Sequence, residues 1–147
     1  TMAQDEEVRL KIEETVNEAT SLTMEYMLEH LKDIIQEDVY GWESPSNAPW
    51  DINRTWQFLN SWQTYESGND FIISQDIETM KQIIISGVVV HHDREKLAGI
   101  LDKGEGFQFG EREGNPSNFW EHFTSNFVAI FDKKFRENCN KLGLDFN

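Results

Sequence analysis

The 147-residue chain holds a single cysteine, Cys139, so no intramolecular disulfide can form and cohesion must come from packing. One unpaired cysteine suits a reducing compartment. Basic residues are also scarce: thirteen Lys and Arg stand against twenty-seven Asp and Glu, a net charge of -14. Affinity for nucleic acid comes largely from cations that displace counterions along the phosphates, so this balance argues against a duplex-binding surface. Long apolar runs are missing too. A bilayer span needs roughly 20 nearly uncharged residues, and the most apolar stretch, FIISQDIETMKQIIISGVVV, is interrupted by Asp76, Glu78 and Lys81. The opening TMAQDEEVRL has neither the basic start nor the apolar run of a secretory signal, which predicts a product of the cytoplasm. The sequon Asn53-Arg54-Thr55 carries no weight in that setting. Internal repeats and low-complexity tracts are absent.

What the chain does have is large side chains. Aromatics make up 12% of it, and each Phe or Trp buries about 150–250 Å², which offsets an apolar fraction of only 38%. At this length a single domain is expected, burying about two-thirds of the surface that its unfolded chain exposes. From Gln4 to Asp38 the apolar residues Val8, Ile12, Val16, Ala19, Leu22, Tyr26, Met27, Leu31, Ile34 and Ile35 recur at steps of three and four. That spacing predicts one long amphipathic helix over residues 1–38. It would extend about 50 Å, beyond the ~30 Å of a small domain, so part of it is expected to project or to pack on a neighbour. Eleven acidic residues against three basic ones give this segment a net charge of -8. Glu37 and Asp38 are disfavoured at the negative end of the helix dipole and mark its expected stop.

Proline is rare as well, and two of the three fall in YGWESPSNAPWDIN, which predicts a loop over 39–53. Strands are expected over 54–93. Ser67-Gly68-Asn69-Asp70 signals a hairpin longer than a two-residue turn, and the branched residues Ile83, Ile84, Ile85, Val88, Val89 and Val90 suit a buried strand, bent at Gly87. A fourth strand is placed around FQFGE. DREKLAGILDKG predicts a short helix ended by Gly104, followed by a Gly-rich loop, together covering 94–114. A second long helix is expected over 115–147, capped by Ser117, with Phe119, Trp120, Phe123, Phe127, Ile130, Phe131, Phe135, Cys139 and Leu142 as its core stripe and Gly143 as terminator. The expected fold is α+β: a long N-terminal helix, a small curved antiparallel sheet of three to four strands, and a long C-terminal helix packed on it.

Catalytic signals are thin. His91-His92-Asp93 ends the strongest strand, but adjacent strand residues point to opposite faces, and no third ligand stands at a recognisable spacing. Trp120-Glu121-His122 falls short of the H-E-x-x-H helix motif. The glycines of KGEGFQFGEREG fit neither phosphate-binding pattern, and Glu105, Glu111 and Glu113 would repel phosphate. Ser61, Ser86 and Cys139 lack the surroundings of a nucleophile. No enzyme class and no cofactor are therefore expected.

RTWQFLNSW, with Arg54-Thr55, Leu59 and Ser61-Trp62 after a helix and a loop, resembles the R-T-G-x-L-x-x-S pattern of small minor virion proteins of long-tailed bacteriophages, the tail-completion or head-tail joining family. Trp56 stands where that pattern has glycine. DREKLAGILDKGEGFQFG followed by NFWEHF is similar to the family's short helix, glycine-rich loop and aromatic-led terminal helix. The resemblance implies a homo-oligomeric ring in the neck or tail of the virion, assembled in the host cytoplasm. Such a ring contacts connector and tail proteins and encloses a channel through which DNA passes without specific binding. Trp42, Trp50, Arg54 and Trp56 are the interface candidates, since Trp and Arg dominate interface hot spots. Two other readings accompany it. An acidic mimic of DNA would bind a basic host protein and would carry its carboxylates in rows on one exposed face. A metal-dependent hydrolase or nuclease would use His91, His92 and Asp93.

Overall fold

A computed structural model of the chain describes residues 1–41, 57–68, 70–80, 84–85, 88–89, 94–105 and 114–145. Helix and strand are mixed, as expected, and a long helix leads the chain. Helix α1 runs Met2–Ile35, 34 residues or about 51 Å. Thr1 caps it: its hydroxyl accepts from the Gln4 amide at 3.2 Å, and the Gln4 side chain bonds back to complete a capping box. Arg9 ties the first turns together, pairing with Glu6 and, at 2.7 Å, with Glu13. At Glu37 and Asp38 the chain does not stop but widens into one π-helical turn, Gln36–Tyr40. The extra residue in that turn sends Val39 into the core and brings the Tyr40 hydroxyl within 3.2 Å of the Leu59 amide, which donates to it.

Gln57–Asn60 forms a single helical turn, α2, inside the region expected to be strands. It buries Phe58 and Leu59 together and delivers Trp62 to the first position of strand β1. Strands β1 (Trp62–Ser67) and β2 (Asp70–Gln75) pair antiparallel, from Trp62 opposite Gln75 to Ser67 opposite Asp70. This register leaves two residues at the turn, tighter than expected, with Gly68 at a φ of 63° that a side chain rarely adopts. A 3-10 turn, Ile77–Thr79, follows β2 with Asp76 as its cap.

The single sheet of three to four strands is corrected among the described residues. The sheet beside α1 has two strands, and β3 (Ile84–Ile85) pairs separately with β4 (Val88–Val89). Ile84 faces Val89 and Ile85 faces Val88, so among the described residues these two short strands pair with each other and not with the hairpin. The region around FQFGE lies outside the described residues.

The second long helix is also corrected, because it forms as two pieces. Helix α3 (Leu97–Lys103) precedes them and ends at Gly104, at φ 72°. Helices α4 (Phe119–Ser125) and α5 (Phe127–Lys141) meet at Asn126, which leaves helical geometry at φ -110° and ψ 4°. The sequence supplies the cause. Thr124 and Ser125 hydroxyls bond the carbonyls of Glu121 and His122, offering the backbone local partners that compete with a continued helix. Ser117 is not the cap: Asn118 occupies that position at φ 55°, while the Ser117 hydroxyl donates to the Leu101 carbonyl at 2.8 Å and anchors α4 to α3.

The core lies where α1, the hairpin and α4 converge. Met27, Leu31, Ile34 and Ile35 of α1 meet Val39, Phe58, Leu59, Trp62, Met80, Phe119 and Phe123. Phe119 stands edge-on to both Phe58 and Trp62, at 5.7 and 6.1 Å. Such pairs contribute about 0.5–1.5 kcal/mol beyond area burial. Helix α5 lies antiparallel along α1. The buried Asn138 amide donates to the Thr23 hydroxyl at 3.0 Å, that hydroxyl donates to the Ala19 carbonyl at 2.6 Å, and Lys134 sits 4.7 Å over the Tyr26 ring. Phe127, Phe131 and Phe135 continue the stripe as a stacked row at 5.8 and 5.9 Å.

Candidate functional site

Helix α1 has two halves of different character. From Ala19 to Ile35 it buries seven side chains against the rest of the domain. Over the first eighteen residues it buries none, and Val8 and Ile12 remain 57% and 44% exposed. At 1.5 Å per residue this free half is about 27 Å long. Six acids and two bases lie in this half, beside the apolar residues Val8, Leu10, Ile12 and Val16. Helicity is held there by the cap and by the Glu6–Arg9–Glu13 ladder. Glu6 first, then Glu13, raise the already high pKa of Arg9 further.

Glu7, Glu14, Glu18, Glu25 and Glu29 are all exposed and recur at steps of seven and four, which places them on one face along both halves. Successive carboxylates are therefore separated by rises of about 10 and 6 Å. Lys11 and Lys32 share the face, but no ion pair engages these five glutamates among the described residues. The opposite face carries Ala19, Thr23, Met27 and Ile34 into the core. This division of charge is fixed by the 3.6-residue period, and it gives α1 a predominantly acidic flank.

A second feature joins elements far apart in sequence. His122 Nδ1 lies 2.7 Å from Asp38 Oδ2, linking α4 to the π-helical turn. The pair borders an open depression of about 350 Å³ lined also by Ser117, Asn118, Glu121 and Ser125. An imidazole oriented by a carboxylate has the form of a general base. The hydroxyls beside it are committed elsewhere: Ser125 bonds the His122 carbonyl and Ser117 the Leu101 carbonyl. Among the described residues no three His, Cys, Asp or Glu side chains are grouped to hold a metal ion. The pair fastens two elements together, and among the described residues nothing beside it is placed as a nucleophile. Sequence reading passed over it because the partners are 84 positions apart and neither belongs to a local motif.

Trp120, assigned to the core stripe from its spacing, is instead 41% exposed and stacks at 5.7 Å on Trp62. Trp62 itself is buried, and its indole N–H finds no partner among the described residues. Cys139 is buried, and burial raises its thiol pKa, so it is a packing residue and a poor nucleophile at neutral pH.

The interface candidates Trp42, Trp50, Arg54 and Trp56 lie outside the described residues, as do His91, His92 and Asp93. Of the stretch that carries the family resemblance, Leu59, Ser61 and Trp62 are described, and all three are buried. The Ser61 hydroxyl donates to the Phe58 carbonyl at 2.6 Å and accepts from the Gln75 amide at 3.1 Å, so it closes the α2 turn onto β2. No described helix is long and apolar enough to cross a membrane. No protein-family model, curated protein or solved structure matches the chain.

Proposed function

We propose that this chain is a structural virion protein of a tailed phage, a ring-forming subunit of the neck or tail-completion assembly around the DNA channel. The observation that carries the reading is the free half of α1, a capped helix of about 27 Å with no buried side chain. A chain acting alone gains nothing from ordering such a segment, whereas an assembly subunit gains contact area. The acidic flank supports the same reading, because carboxylates facing a channel repel DNA and let it slide. The place in the virion rests on the resemblance of RTWQFLNSW and DREKLAGILDKGEGFQFG to the joining proteins. Size-exclusion chromatography with light scattering is expected to give a closed oligomer, with rings in negative-stain micrographs. A strict monomer at high concentration would remove this reading.

The single-face row of glutamates favours a second reading, an acidic mimic of DNA that occupies the basic groove of a host protein. Competition separates the two. A mimic displaces DNA from a DNA-binding enzyme while remaining monomeric; a ring subunit oligomerises and leaves the enzyme's DNA in place.

A further inference from the structure

We draw no further inference here: the strongest candidate, the apolar seam of Val8, Ile12 and Val16 along the free half of α1, carries nothing, because Glu7, Glu14 and Glu18 lie on the opposite face of the helix and nothing among the described residues shows what covers the seam.

Discussion

Replacing Thr23 by valine tests whether the α1–α5 contact depends on one buried polar bridge. The substitution keeps the shape of a side chain that is fully buried and removes the hydroxyl that accepts from the Asn138 amide at 3.0 Å. Asn138 is only 5% exposed, so its N–H group would then lie buried without an acceptor at that position, a cost of about 1–3 kcal/mol. For a domain of this size that corresponds to a fall in Tm of roughly 2–10 °C. The reverse change, Asn138→Leu, should cost less, because the Thr23 hydroxyl keeps its bond to the Ala19 carbonyl. The double variant should be less destabilised than the sum of the two, with a coupling of roughly 1–2 kcal/mol, since it leaves no orphaned group. Urea unfolding followed by circular dichroism and tryptophan fluorescence measures all four species. If Thr23→Val stays within about 0.5 kcal/mol of wild type and the double variant is additive, the bridge does not couple the helices.

Two glycines should respond in opposite directions. Gly104 sits at φ 72° with the Pro116 backbone nitrogen 2.3 Å from where a Cβ would stand, so Gly104→Ala is expected to cost more than the ~1–2 kcal/mol of left-handed geometry alone; Gly99, inside α3 with open space around it, should gain up to about 1 kcal/mol as alanine. Thermal melts of the pair decide this, and equal shifts would refute the backbone argument. Cys139 should resist iodoacetamide at pH 8 in the native chain and react readily in urea, because burial favours its neutral thiol. The same shift sets a pH dependence. Below the ordinary thiol value of 9.0 both states are neutral and stability is unaffected; above it the unfolded chain ionises first, so stability falls as pH rises. Fast native labelling would contradict the buried placement.

The long helix was legible in the sequence because its apolar residues keep one period for seven turns and more, and a local repeat needs no partner to be read. The same holds for Gly104 and Gly143, whose positive φ values of 72° and 90° terminate helices where glycine predicted it. The inward turn of Phe58, Leu59 and Trp62 was visible under either a helical or an extended reading, and the structure combines both, with α2 leading into β1. Charge placement was half legible: the sequence concentrated acids in α1, but only helical geometry with α5 and the hairpin in place shows which of them share the open flank.

What the sequence determined is therefore local: helix periodicity, glycine stops, the acidity of α1 and the lack of a second cysteine among these 147 residues. Tertiary structure decided the rest, because those outcomes are competitions between distant partners. Among the described residues, Ile84 and Ile85 could have joined the hairpin and instead paired with Val88 and Val89. The C-terminal stripe could have been one helix, and broke at Asn126 where side-chain hydroxyls compete for carbonyls. Asp38 and His122, 84 residues apart, became neighbours only because a π-helical turn points one toward α4. The difference between a buried and a free half of α1 is likewise set by the length of α5, whose fifteen residues cover the apolar face from about Thr23 downward and leave Val8 and Ile12 open.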